Sequence, residues 1–328
     1  MATPKQQRID PKTVPTPPAR GKSGRPGGRP PGVAKVRKAT ARDWIAGARL
    51  RTLPLGVAPV ILGTATAYTL GGLELQWKRA LLCLAIAVAL QVAVNYANDY
   101  SDGIRGTDKH RVGPSRLTGS GAAAPRTVLT VALVFFGLAA VAGILLTIAT
   151  GFYWLLAIGA VCIAAGWFYT GGKRPYGYNA LGELFVFVFF GLVATVGTTF
   201  VQAGAVNTET WIAAVSVGLI ACAVLLVNNL RDLDQDKVAG KRTLSVIVGR
   251  TASKVLFGFF MLVPFVLAGF FTLAYLNAGF VYLVLMLALP AVIITATART
   301  PREYVLALQL ASFSALAYAL ILGLAIAL

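Results

Sequence analysis

The stretch RALLCLAIAVALQVAVNYANDYSD, residues 79–102, is apolar from Ala80 to Val94 except for Gln91, and then carries Asn95, Asn98, Asp99 and Asp102. About 20 apolar residues suffice to carry a helix across the hydrocarbon core of a bilayer. If the helix continues to Asp102, the four polar residues lie three, four and seven positions from the first, on one helical face. Two carboxylates on one face at the edge of a bilayer call for a cation.

The rest of the chain repeats the apolar pattern. Hydrophobic residues make up 57% of the 328 positions and charged residues 13%, and mean hydropathy is +0.71, unlike a soluble domain of this length. From Trp44 onward, nine apolar segments follow one another, at about 52–71, 79–98, 127–149, 152–170, 181–203, 210–230, 253–276, 278–298 and 304–327. They are continuously apolar, whereas a membrane barrel alternates polar and apolar residues at every second position. The short breaks at 150–151 and near Asn277 keep two pairs from fusing into over-long helices. The expected fold is all-α and polytopic, with nine transmembrane helices around a cavity open to the cytoplasmic side. Cys83, Cys162 and Cys222 each sit inside an apolar run and are expected as small buried side chains, forming neither a disulfide nor a zinc site.

Charge orients the chain. With a cytoplasmic amino terminus, the arm and the loops on that side hold 28 of the 30 Lys and Arg residues, leaving only Lys78 and Arg79 outside. Residues 1–43 are expected to form a disordered, basic, Pro/Gly-rich cytoplasmic tail, and 44–328 the transmembrane domain. Such a tail is either solvated or drawn to anionic headgroups; tethered to a membrane protein, it is not expected to bind nucleic acid. The expected location is the cell (inner or plasma) membrane.

A second polar cluster lies in VNNLRDLDQDKVAGKRTL, residues 227–244, where Asn228, Asp232 and Asp236 fall at i, i+4 and i+8. Asn98/Asp102 and Asn228/Asp232 share an Asn-x-x-x-Asp spacing, a hint of internal duplication. Hard oxygen donors of this kind suit Mg²⁺, which commonly completes its shell with water and substrate phosphates. Basic residues flank both clusters and offer counterparts to phosphate oxygens, although positive-inside topology alone would also place Lys and Arg there. The topology brings both clusters and the KRPYGYN loop, 173–179, to one side.

At these residues the chain resembles the UbiA superfamily of intramembrane aromatic prenyltransferases, whose signatures are an NxxxDxxxD first motif and a DxxxD second motif. Asp232 and Asp236 complete the second motif; Asn98 and Asp102 fit the first, but its third position is Gly106, with Asp99 and Asp108 as the neighbouring carboxylates. NDYSDGIRGTD (98–108), RVGPSRLTGSG (111–121), ARLRTLPLGVAPVILGTA (48–65) and YTGGKRPYGYNALGELFVFVFFG (169–191) look like the branch acting on 1,4-dihydroxy-2-naphthoate. The resemblance covers residues 44–328 and implies a UbiA-type bundle.

By that resemblance, Asn98, Asp102, Asn228, Asp232 and Asp236 would hold magnesium, with Asp99 or Asp108 assisting. Lys173, Arg174, Lys241 and Arg242 would meet diphosphate oxygens. Arg51 and Asn95 join them as candidate substrate contacts, with Arg49 and Arg51 as possible partners for an acceptor carboxylate. Tyr169 would turn its π-face to an allylic cation, beside Asp99, Asp102, Asp232 and Asp236 as the catalytic set. The implied partners are a polyprenyl diphosphate, 1,4-dihydroxy-2-naphthoate and the lipid bilayer, and the implied product is demethylmenaquinone. Within the enzyme class the rivals are other acceptors, 4-hydroxybenzoate or homogentisate among them. From another class, a secondary transporter would also use intramembrane acids, usually near the bilayer midplane.

Overall fold

In a bilayer the backbone must satisfy its own hydrogen bonds, so each long apolar run folds as a helix. The computed structural model describes residues 37–71, 75–107 and 116–328, with Val36–Leu328 as one compact unit. In order the helices are α1 (Ala41–Gly47), α2 (Pro54–Leu70), α3 (Trp77–Arg105), α4 (Pro125–Thr150) and α5 (Leu155–Phe168). Then come α6 (Gly182–Ala203), α7 (Thr208–Val238), α8 (Leu244–Ala274), α9 (Leu276–Thr297) and α10 (Pro301–Ala327).

Among the described residues, seven helices are long and apolar enough to cross a membrane. Ala41–Thr52 and Pro54–Leu70, bent by 46°, make an eighth if taken as one span. The remaining expected segment is α5, which has only 14 residues. The two anticipated breaks are real: Gly151 takes φ +73° between α4 and α5, and Tyr275 is extended between α8 and α9. The chain is a multi-pass membrane protein.

α7 is apolar nearly all round its upper turns and is accordingly the most enclosed helix, with 72% of its apolar window buried against 33% for α4. Ile220, Ala223, Leu226, Val227 and Leu230 anchor the main core with Phe257, Met261 and Tyr318. α2 and α6 cross where Gly63 removes a side chain: a Cβ there would stand 2.6 Å from the Thr195 carbonyl oxygen. That approach lets Thr199 Oγ1 donate to the Gly63 carbonyl at 3.0 Å and lie 2.8 Å from Thr66 Oγ1, the polar glue usual between membrane helices.

The two ends of the bundle differ. At one end Arg79 donates to Val201 O at 3.0 Å and to Ala149 O at 3.3 Å, tying the start of α3 to the carboxyl ends of α6 and α4. At the other end the carboxyl termini of α3, α5 and α7 come together.

Candidate active site

Both polar clusters ride on the last turns of helices that outrun their apolar segments. α3 continues to Arg105 and closes on Gly106 at φ +71°, while α7 continues to Val238. Asn95, Asn98, Asp99 and Asp102 are all buried, at 5, 6, 3 and 2% exposure. They do not share a focus. At about 100° per residue, Asn98 and Asp99 stand at opposite edges of the face. Asn95, Asn98 and Asp102 border the cavity described below. Asp99 instead faces the following loop, where its two oxygens accept the main-chain N–H groups of Leu117 and Thr118, each at 2.8 Å. Asp99 keeps its place at the edge of that face, and there its carboxylate holds the loop that carries Arg116.

Asp102 is the hub. Arg116 Nη1 lies 2.7 Å from its Oδ2 and also donates to the Asn98 carbonyl at 2.6 Å. Lys241 Nζ stands 3.5 Å from Asp102 Oδ1 and 3.7 Å from Asp236 Oδ1, joining the two clusters through one ammonium. The Tyr178 hydroxyl donates to Asp102 Oδ1, and its ring lies beneath the Lys241 ammonium at 4.5 Å. Burial, with the Asp102 carboxylate beside it, pushes the Tyr178 phenol above its ordinary value, so it stays a donor. Asp232 is paired with Arg231 at 2.6 Å, and Asn98 Oδ1 accepts from Thr170 Oγ1 at 2.6 Å.

These groups close one end of a cavity of about 580 Å³. Arg49, Asn95, Asn98, Asp102, Arg116, Tyr178, Asn228, Asp232, Asp236 and Lys241 border its polar end; Leu90, Val94, Phe185, Phe189, Phe190 and Val193 are among its apolar lining. A π-helical turn over Phe187–Val193 interrupts α6 there, where Gly191 packs close to Gly218. Ile144, Leu156 and Ile158 border the cavity yet are 48, 48 and 42% exposed, so the apolar part reaches the outer surface between α4 and α5. That explains why α5 buries no residue fully: one side faces outward and the other the cavity.

Tyr169 borders the cavity, and its ring meets Tyr176 edge-on at 5.5 Å. Its carbonyl accepts the Gly177 N–H at 3.0 Å, and only glycine fits there, since a Cβ would lie 2.6 Å from that oxygen. Of the basic candidates, Lys241 reaches the cavity. Lys173, Arg174 and Arg242 are exposed, and Arg51 is half-buried without bordering the cavity, while Arg49 does border it. Arg242 acts through its backbone, donating to the Tyr178 carbonyl at 2.9 Å. Asp108 lies outside the described residues.

Sequence reasoning missed Arg116 and Thr170, and it placed Tyr178 near this face as an aromatic ring rather than as a hydroxyl donor to Asp102. Arg116 and Tyr178 stand in segments that drew attention as motifs, but only the folded loops aim them at Asp102. A buried pair was missed as well: Glu183 Oε1 accepts from Asn229 Nδ2 at 2.9 Å, binding α6 to α7 beside the site.

The donor set fits magnesium. Asp102 and Asp236 straddle a position that already accommodates one cationic atom, and Asn98 and Asn228 border the same cavity. Among the described residues no three His, Cys, Asp or Glu side chains form a complete ligand group. An ion here would draw the rest of its shell from substrate oxygens and water, as Mg²⁺ commonly does.

Comparison with known proteins agrees with this architecture. The 1,4-dihydroxy-2-naphthoate octaprenyltransferase of Mycobacterium tuberculosis is 52% identical over 219 residues, covering 67% of this chain and 74% of that protein. The Escherichia coli protein of the same name is 39% identical over 218 residues, covering 64% and 70%. Among solved structures, a UbiA homolog from Aeropyrum pernix matches 83% of this chain and 96% of its own with a TM-score of 0.61 at 16% identity. A UbiA homolog from Archaeoglobus fulgidus, bound to DMAPP and Mg²⁺, matches 85% and 99% with a TM-score of 0.57 at 15% identity. The model of the UbiA prenyltransferase family matches residues 57–320, and with a buried carboxylate pair at the mouth of an apolar cavity, this chain belongs to that family.

Proposed function

We propose that the protein transfers a polyprenyl group from polyprenyl diphosphate to 1,4-dihydroxy-2-naphthoate with loss of CO₂ and diphosphate, giving demethylmenaquinol, the reduced form of demethylmenaquinone. The observation that carries this reading is the cavity itself, which joins a charged end, where Asp102 and Asp236 converge on Lys241, to an apolar end that reaches the lipid-facing surface. A diphosphate with a long hydrocarbon tail has that same division. The choice of acceptor rests on the names of relatives up to 52% identical.

In this reading Asp102, Asp232 and Asp236, with the amides of Asn98 and Asn228, would hold Mg²⁺, which would supply positive charge against the departing diphosphate. Arg49, Arg116 and Lys241 bind its oxygens. The allylic C–O bond breaks with its electron pair leaving on the diphosphate, and the Tyr169 ring at the cavity wall faces the cation. The ring carbon bearing the carboxylate attacks, and the C–CO₂ bond then breaks to restore aromaticity. The C–CO₂ bonding pair stays with the ring and neutral CO₂ leaves, so no proton has to be abstracted from that carbon and no strong enzymic base is needed. Asp99 acts by holding the Arg116 loop, and Asp108 remains a candidate further ligand. With 28 of 30 basic residues assigned to one side, the site faces the cytoplasm of an inner or plasma membrane, and residues 1–43 form a cytoplasmic tail. A transporter is disfavoured because the acids sit on the last turns of α3 and α7, away from the middle of the spans.

The test is a competition: purified protein with Mg²⁺, a labelled polyprenyl diphosphate, and naphthoate, 4-hydroxybenzoate and homogentisate at equal concentration. Prenylated naphthoate lacking its carboxylate is expected. Preference for either rival, or a product that keeps its carboxylate, overturns the acceptor assignment.

A further inference from the structure

Lys241 occupies an unusual station. Gly240 at φ +73° turns the chain out of α7, and the Lys241 N–H donates to the Asp236 carbonyl at 2.9 Å while the next N–H, of Arg242, donates to Tyr178 O at 2.9 Å. Its backbone is thus held between the end of α7 and the loop before α6. Its side chain is only 12% exposed and divides one positive charge between Asp102 on α3 and Asp236 on α7, at 3.5 and 3.7 Å. The Tyr178 ring supports the ammonium from below at 4.5 Å.

Arg116 is bound differently. Its Nη1 lies 2.7 Å from Asp102 and donates to the Asn98 carbonyl at 2.6 Å, both much shorter than the contacts of Lys241. Lysine is a point charge on a flexible stem, and its contacts here are longer. Of the two cations, Lys241 is the one able to move. A divalent ion arriving between Asp102 and Asp236 meets an ammonium already there, and like charges at such separation exclude each other in a partly buried site.

We propose that Lys241 is an exchangeable counter-ion: it holds Asp102 and Asp236 together until a diphosphate draws its ammonium away, so that divalent metal and diphosphate bind as a single coupled event. The proposal rests on the assignment of metal and diphosphate to this cavity made above, and adds the order imposed on them. Its consequence is that metal alone binds weakly, and diphosphate tightens it by giving Lys241 another anion. By linkage the metal tightens diphosphate equally.

The experiment measures Mn²⁺ binding to the full chain in detergent micelles by the electron paramagnetic resonance of free Mn²⁺. It is run with and without inorganic pyrophosphate, corrected for their complex in buffer. Lys241→Gln is expected to bind Mn²⁺ alone about tenfold more tightly than the unaltered protein and to lose most of the pyrophosphate enhancement; tenfold corresponds to ~1.4 kcal/mol. Lys241→Arg, which keeps the charge, and Lys237→Gln, which removes an exposed charge one residue beyond Asp236, should leave binding of Mn²⁺ alone within about twofold. Should Lys241→Gln unfold, Lys241→Arg carries the test, since a gain of tenfold there contradicts charge exclusion.

Equal Mn²⁺ affinity in Lys241→Gln and the unaltered protein, or an equal gain in Lys237→Gln, overturns the proposal while leaving the assigned function standing. Absence of Mn²⁺ binding in every variant, even with pyrophosphate, removes the metal site and the proposal with it.

Discussion

Asp99→Asn separates two roles that the sequence allows for one carboxylate. The side chain is 3% exposed, and its two oxygens accept the N–H groups of Leu117 and Thr118 at 2.8 Å. Hydrogen bonds to a charged acceptor contribute about 1.5–3 kcal/mol each. Asparagine keeps one acceptor but turns its NH₂ toward the other backbone donor, leaving a buried N–H unpaired at a cost of about 1–3 kcal/mol. The expected net loss is about 2–4 kcal/mol, concentrated in the loop that carries Arg116. Arg116 should then sit less firmly against Asp102, and KM for the prenyl diphosphate should rise several-fold. The Mg²⁺ concentration giving half-maximal rate should stay within about twofold, because the carboxylate does not border the cavity. Asp102→Asn is the contrast: it removes the charge that Arg116, Lys241 and Tyr178 address and should abolish turnover at every Mg²⁺ concentration, with a loss of stability of its own because Arg116 is left buried beside a neutral amide. The assays are thermal unfolding followed by tryptophan fluorescence in micelles and a Mg²⁺ titration of the rate. If Asp99→Asn unfolds at the unaltered temperature and needs more than about tenfold extra Mg²⁺, Asp99 is a metal ligand and the loop-anchor assignment is wrong.

Gly63→Ala should lower the unfolding temperature markedly, at a cost of about 1–3 kcal/mol, because its Cβ would meet the Thr195 carbonyl at 2.6 Å. Gly197→Ala, whose Cβ meets nothing within 4 Å, should be neutral by the same measurement. The larger Gly197→Leu projects into the cavity it borders and should slow transfer from a long prenyl diphosphate more than from a short one; equal slowing of both would show that the tail does not pass there. Arg79→Gln should cost about 1–2 kcal/mol of stability by releasing the carboxyl ends of α4 and α6. It should leave KM for both substrates unchanged, since Arg79 stands at the opposite end of the bundle from Asp102.

The geometry of Lys241 bears on why the site needs two helices and three loops. Mg²⁺ gives up its water reluctantly and usually shares its shell with substrate oxygens. In the proposed reading, dividing the ligands between α3 and α7 would leave room for substrate oxygens to complete the shell, with Arg116 and Lys241 bridging the carboxylates beforehand.

Much of this was legible in the chain itself. Long apolar runs determine helices because no other structure satisfies a backbone in lipid, and the breaks at Gly151 and Tyr275 fall where the pattern lapses. The Asn-x-x-x-Asp spacing on α3 and α7 named Asn98, Asp102, Asn228, Asp232 and Asp236 because helical periodicity is local. Tertiary structure alone decided which charged groups converge. Periodicity groups Asp99 with Asp102, yet 100° edges on one helix face different neighbours, and Asp99 meets the loop at 117–118. Composition cannot tell Lys241, aimed inward between two carboxylates, from Lys173, Arg174 and Arg242, which stay exposed, nor Arg49 from Arg51 two residues away. Where a flexible basic side chain ends depends on the backbone turn that launches it and on the acids that distant helices bring within reach, and those are properties of the assembled bundle.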